Sequence, residues 1–325
     1  MSQKPPSSSA IKVTADKFAR LRRELDLHVV GHEAVKEALL LGLVAREHIY
    51  IEGPPGIAKT LLAETASEAA NLGFYFYQFH RDTRLAELVG DVVIQRETGP
   101  DGGEVIRQTV LKGGILTAEV CVLDDLSRAP GEALNVLLRL LNERKYHAER
   151  IPLLTAIATS NPALDDYYNE PLDPANLDRF TLQLRADGLI HENRWADVEK
   201  VINLFAGTGG AAIPKTTDLL CREDFDQAAR LMDGVLVPEN TKLGLLHLLN
   251  RWVNKYKLEP SNSLITDRTF LVKGVKIMKA AALLDGRHTV VPEDLHILRH
   301  LTTFRLPPEV HNEMESIVTD TLNSL

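Results

Sequence analysis

The chain carries two hydrophobic rhythms. From Thr14, the residues Phe18, Leu21 and Leu25 recur at helical spacing, with Thr14 and Asp16 available as caps, which predicts a helix. Five short apolar runs then read as strands: His48–Glu52, Phe74–Phe79, Val120–Asp124, Leu153–Ser160 and Phe180–Leu184. Helical patterns at Thr60–Asn71, Gly131–Glu143 and Pro174–Asp178 separate most of them. Apolar strands alternating with helices predict an α/β fold, a five-stranded parallel sheet with helices on both faces. The aromatic run FYFYQF is expected as one of its buried strands.

Two insertions break the alternation. After a short helical segment, Arg84–Leu88, the runs DVVIQRE and EVIRQTV flank the turn TGPDGG and predict a hairpin. KYHAERIPL predicts a second one. Past Leu184 the rhythm becomes helical: His191–Phe205, then the Gly-rich GTGGAA, then Arg222–Met232, Asn240–Tyr256, Asp267–Leu284, Pro292–His300 and Pro308–Leu322. The expected organisation is a disordered Pro/Ser-rich lead-in (1–10) and an α/β core (11–205, with the hairpin insertion at about 84–111). A linker (206–220) and a small all-α domain (221–325) follow, and no internal repeat is detected.

Composition narrows the function. The 325 residues are 44% hydrophobic and 25% charged, ordinary for a soluble protein, and the net charge of −8 disfavours a general nucleic-acid coating role. Two cysteines far apart, no apolar run of membrane-spanning length and no signal-like N-terminus lead to the expectation of a cytoplasmic protein.

The chemistry begins at GPPGIAKT. A phosphate-binding loop needs backbone N–H groups aimed at the anion, a helix N-terminus behind it and a cation nearby. Gly53, Pro54, Pro55 and Gly56 supply the turn, Ile57 and Ala58 lead into a helix, and Leu61 lies in its first turn. Lys59 would reach the β- and γ-phosphates, and Thr60 would offer a hydroxyl to Mg²⁺. Ala58 stands where the standard pattern has glycine, which is tolerable if that residue keeps helical dihedrals. Alone, the stretch also reads as a Gly/Pro turn with an exposed lysine. The run EVCVLDDLSRAP strengthens the phosphate reading. Asp124 ends an apolar strand where it could hold Mg²⁺, and Asp125 could polarise an attacking water. Asn161, in SNP, ends another strand and could reach the γ-phosphate or that water; in isolation it is a turn asparagine.

In order, GPPGIAKT, the hairpin insertion, VLDDLSRAP, ATSNP, LDRF and TDRTF resemble the AAA+ ATPases, and most closely their MoxR family, over roughly residues 28–300. ALNVLLRLLNERKY is similar to the RavA branch. The resemblance implies a P-loop core with an all-α lid, ATP and Mg²⁺ as ligands, and a ring, usually a homo-hexamer. It implies sensor 1 at Asn161, an arginine finger at Arg179 reaching a neighbour's site, and sensor 2 at Arg268, with ATP between the core and lid of one subunit and the lid rotating on hydrolysis. Arg128 is a second trans-acting candidate. Such proteins commonly act as chaperones on a protein client with a partner carrying a von Willebrand factor A domain. The family usually has Glu where this chain has Asp125, so slow hydrolysis is expected unless the site is stimulated.

Two other functions fit the same motifs. A nucleic-acid-remodelling motor needs basic hairpin tips. TGPDGG has an acid and no base, while Lys145–Arg150 has two bases, so nucleic acid is the less favoured partner. A nucleotide-gated binding module would bind ATP and hardly cleave it. His296 and His300 lie four apart but lack companion ligands, Arg20, Arg22 and Arg23 read as a solvated helix face, and the first hairpin tip (Thr98–Glu104) is the expected client contact.

Overall fold

The structure is a computed structural model, described for residues 7–98, 104–162, 172–207 and 218–324. Its centre is a parallel sheet of β1 (Ile49–Glu52), β2 (Phe74–Gln78), β5 (Val120–Asp124), β8 (Thr155–Ser160) and β9 (Leu182–Arg185), in the order β2-β5-β8-β1-β9. The register pairs Gln78 with Asp124, Leu123 with Ala158 and Glu52 with Ser160. The carboxyl ends of four strands therefore finish level along one edge.

Alternate strand residues feed two cores. Ile49, Ile51, Val120, Val122 and Ile157 join one with α1 (Ser8–His28), α2 (Glu33–Ala45) and α3 (Lys59–Ala69). Tyr50, Cys121, Leu123, Ala156 and Ala158 join the other with α5 (Gly131–Glu143). Both faces are covered, as the alternation predicts.

Several expectations need correction. The first helix starts at Ser8, where the Ser7 side chain accepts from Ala10 N at 3.3 Å, so Thr14 and Asp16 lie inside it rather than capping it. Residues 7–10 are thus ordered, and 1–6 lie outside the described residues. α2 is absent from the sequence reading. Its stretch Ala38–Ala45 is buried without interruption, so it has no polar face and shows no amphipathic period. β2 is an edge strand, with Phe76 42% exposed, and the expected burial of FYFYQF is only partial. The tyrosines of β2 instead carry α4 (Leu85–Val89): Tyr75 Oη donates to Glu87 O at 2.7 Å and Tyr77 Oη to Glu87 Oε2 at 2.6 Å.

The first insertion is an antiparallel hairpin of β3 (Val92–Thr98) and β4 (Glu104–Val110), whose turn lies outside the described residues. The second pairs β6 (Lys145–Tyr146) with β7 (Glu149–Arg150). α6 (Pro174–Leu177) precedes β9, and α7 (Trp195–Gly207) follows it. The anticipated linker lies mostly outside the described residues. Beyond it come α8 (Arg222–Asp233), α9 (Glu239–Asn254) and α10 (Val272–Leu284), the last preceded by a π turn over Asp267–Leu271. A 3₁₀ stretch (Pro292–Leu298) leads to α11 (Arg299–Thr302), then α12 (Pro308–Asn312) and α13 (Met314–Leu322). Single helices expected at Asp267–Leu284, Pro292–His300 and Pro308–Leu322 are each broken into two.

The helical lid shares one continuous hydrophobic cluster with α1, α2 and α3, through Phe225, Ile277, Leu283 and Leu298. Polar ties reinforce it at the amino-terminal edge of the sheet. Lys276 reaches Glu47 at 2.5 Å, Thr303 Oγ1 donates to Gln183 O at 2.6 Å, and Arg222 bonds Glu119 at 2.8 Å. Apolar packing and polar ties therefore join core and lid along this edge. Among the described residues, no helix is long and apolar enough to cross a membrane.

Candidate nucleotide site

β1 delivers the chain to Gly53, whose N–H donates to Ser160 O at 3.0 Å. A Cβ at Gly53 would lie 2.2 Å from Ala186 O, so only glycine passes this crossing. Gly56 then turns with φ +86°. Ala58 corrects the sequence expectation: it sits at φ 59°, ψ 21°, in the left-handed region and not in helical dihedrals. An L-residue there costs about 1–2 kcal/mol, a strain the surrounding loop must hold.

Lys59 opens α3 and folds back over the loop, donating from Nζ to Gly53 O at 2.8 Å and Pro54 O at 3.0 Å. Burial lowers its pKa, and the nearby Asp124 and Asp125 carboxylates oppose that. The lysine thus stands between the loop and both aspartates. Thr60 and Leu61, next on α3, are half-buried.

Asp124 accepts a hydrogen bond from Thr159 Oγ1. Asp125 is a second left-handed residue, φ 53°, with its side chain 10% exposed. Three groups converge on its carboxylate: Asn161 Nδ2 at 3.1 Å, Gln78 Nε2 at 3.4 Å and the Arg128 guanidinium at 3.6 Å. Arg128, expected to act in trans, faces its own chain's aspartate. Gln78 and Thr159 were missed in the sequence. The signal available was a polar residue at the carboxyl end of each strand flanking Asp124, informative only once the register is known.

Beside the loop lies a cavity of about 480 Å³, lined by Val29, His32, Ile57, Leu61, Leu189 and Val201 among others. It is mainly apolar and next to the phosphate-binding amides, as a nucleobase pocket must be. Burial lowers the pKa of His32, favouring the neutral ring. Among the described residues lining it, none belongs to the lid.

The remaining arginines are elsewhere. Arg179 precedes β9, whose Leu182 pairs with Ile49 at the start of β1, the edge away from Gly53. It is exposed, and its guanidinium lies 2.7 and 3.2 Å from the Asn142 amide, which accepts from it when the amide is oriented oxygen-inward. Arg268 is exposed on the π turn, eight residues before Lys276, which is anchored at that same far edge. His300 bonds Glu37 at 2.7 Å, and among the described residues no cluster of three His, Cys, Asp or Glu side chains could hold a metal.

A family model described as the MoxR domain in MoxR–vWA–beta-propeller ternary systems matches residues 16–204, more than half of the chain. The chain belongs to the MoxR family of AAA+ ATPases. An AAA lid domain matches residues 245–306, within the helical region of this MoxR chain. The chaperone MoxR1 of Mycobacterium tuberculosis is 25% identical over 336 residues, 95% of this chain and 82% of that one. An uncharacterized protein of Methanocaldococcus jannaschii is 29% identical over 88% of this chain and 70% of its own. A crystal structure of a protein assigned as an ATPase from Cytophaga hutchinsonii superposes with TM-score 0.74 at 21% identity, covering 98% of this chain and 96% of that one, which shows a shared fold.

Proposed function

We propose that the protein is an ATP-driven MoxR-type chaperone that hydrolyses ATP between subunits of a ring, usually a homo-hexamer in this family. The observation that carries the reading is the convergence of Lys59, Asp124, Asp125 and Asn161 on one sheet edge, beside an apolar cavity of nucleobase size. The donor set suits the ligand. An ammonium and a helix N-terminus face the place for the phosphates, and a hydroxyl (Thr60) with one strand-end carboxylate (Asp124) matches the few protein ligands Mg²⁺ takes beside a nucleotide. Mg²⁺ would neutralise charge on the phosphate oxygens.

The protein's own groups do the rest. Lys59 exchanges its loop carbonyls for phosphate oxygens. Asn161 and Gln78 orient Asp125, which accepts a proton from the attacking water. Being one methylene shorter than Glu, and already engaged by three groups, Asp125 gives slow turnover until the site is reshaped. Arg179 acts on the ATP of a neighbouring subunit, because its own Gly53 loop lies across the sheet; Arg268, at the same edge, acts with it. With core and lid packed on one hydrophobic cluster, hydrolysis moves whole subunits against each other and carries the hairpins with them. The matched family's description supports a protein partner with a von Willebrand factor A domain.

The test is steady-state ATP turnover of the full chain and of Lys59→Ala, with and without a candidate partner of that kind. ATP-dependent turnover that vanishes in the variant supports the reading. Nucleotide binding with no multiple turnover under any condition supports a nucleotide-gated module instead, and stimulation by nucleic acid alone supports a motor.

A further inference from the structure

A buried charge at the far edge of the sheet has no part in the mechanism above. Arg305 belongs to the lid, yet its side chain is 1% exposed and points into the turn that carries Arg179. Its five N–H donors make five hydrogen bonds to four acceptor atoms. Nε and Nη2 bond Asp178 Oδ1 at 3.4 and 3.3 Å, and Nη2 also bonds Phe180 O at 3.0 Å. Nη1 bonds Thr181 O at 3.1 Å and Leu301 O at 2.7 Å. Three of these four partner residues flank Arg179 on both sides. The backbone carbonyl of Arg305 meanwhile accepts from Leu264 N at 2.9 Å, four residues before Arg268. A second tie runs in parallel: Thr181 Oγ1 bonds Glu47 Oε2 at 2.5 Å, and Glu47 Oε1 bonds Lys276 of α10.

A turn held this way has little freedom. Burying a guanidinium is tolerated only where nearly every donor is satisfied, so its acceptors are fixed relative to one another. Here those acceptors are the backbone of the finger turn and a helix of the lid. We infer that Arg305 is a positioning residue for hydrolysis in trans, locking the Arg179 turn of the core to the lid segment bearing Arg268 so that the two exposed arginines reach a neighbour as one preset unit. The inference rests on the reading of Arg179 as the trans-acting finger. It adds that the lid's contribution is made through the finger of its own chain rather than through its own nucleotide.

The test compares Arg305→Met and Arg305→Lys in the full chain, by fluorescent-ATP binding, turnover and subunit mixing. Arg305→Met should lose roughly 100-fold in turnover, the scale expected of a displacement near 1 Å, with ATP affinity unchanged within about twofold. Lysine, with three donors in place of five, should restore only part of the loss. Mixing supplies the readout that a general packing defect would not give. Arg305→Met mixed with Lys59→Ala should recover activity, because one subunit supplies a sound nucleotide site and the other a sound finger. Arg305→Met mixed with Arg179→Ala should recover none, since both lack the finger. Recovery in that last mixture, or near wild-type turnover of Arg305→Met alone, overturns the proposal. If Arg305→Met has no cooperative unfolding transition, Asp178→Asn carries the same comparisons from the other side of the bond. Failure of Lys59→Ala and Arg179→Ala to complement each other would instead count against the finger reading itself.

Discussion

The two edges of the parallel sheet are built in opposite ways. At the carboxyl edge, Ala58 and Asp125 hold left-handed backbone, Lys59 is satisfied only by its own loop, and an open apolar cavity adjoins them. At the amino edge, charges are buried and closed off. Glu47 is held by Lys276 and Thr181, and Arg144 donates to Leu153 O and Leu154 O at 2.5 and 2.9 Å. His48 is locked between Leu141 O and Ala156 N, both at 3.0 Å. One edge leaves bonding capacity open beside a cavity. The other spends many of its polar groups on joining core to lid, with Arg179 and Arg268 exposed. In the proposed mechanism, binding and trans action are separated by the length of the strands, so each should be open to damage without the other.

The sharpest way to break this comparison is to open the sealed edge. Glu47→Ala removes the carboxylate that Lys276 and Thr181 hold and should cost about 1–3 kcal/mol in denaturant unfolding, while ATP affinity of the folded fraction stays unchanged. A lost affinity would show that the edges are not independent. At the other edge, Lys59→Ala should reduce kcat/KM for ATP by roughly 10²–10³, with little change in the unfolding midpoint.

The pH dependence probes the sealed edge more gently. Burial, aided by the Arg144 charge, lowers the pKa of His48 to about 3. A depressed folded-state value means that the unfolded chain takes the proton first. The neutral ring's contribution is therefore complete above the ordinary histidine pKa and is lost as pH falls from there toward 3. The slope should be at most about 1.4 kcal/mol per pH unit, and His48→Gln should flatten it in urea titrations across that window. Asp125→Glu should raise turnover by roughly tenfold, and slower hydrolysis would contradict the account of the short carboxylate. The smallest effect is Ala58→Gly, which relieves the left-handed strain and should raise stability by up to about 1 kcal/mol in chemical denaturation.

Much of this was readable in advance. VCVLD, LLTAIATS and HIYIE declare buried parallel strands, and the family resemblance carried by their flanking motifs ordered the loops correctly. What was hidden was hidden for physical reasons. The helix EAVKEALLLGLVA is buried without interruption from Ala38 to Ala45, so that stretch lacks a polar face to mark its period. The need for glycine at Gly53 depends on Ala186, a contact more than a hundred residues away. The roles of Gln78 and Thr159 depend on strand register, and the placement of the lid depends on Glu47 and Arg305, which in sequence are an ordinary glutamate and arginine. Local pattern located the nucleotide loop, but long-range pairing decides which arginine can face it.

The most direct test of the division between edges mixes two inactive full-length variants, Lys59→Ala and Arg179→Ala, and follows ATP turnover against their ratio. If one edge binds and the other acts on a neighbour, activity appears in the mixture where neither variant has any, with a maximum at intermediate ratio. Mixtures that stay as inactive as the separate variants, while still assembling together, would contradict it.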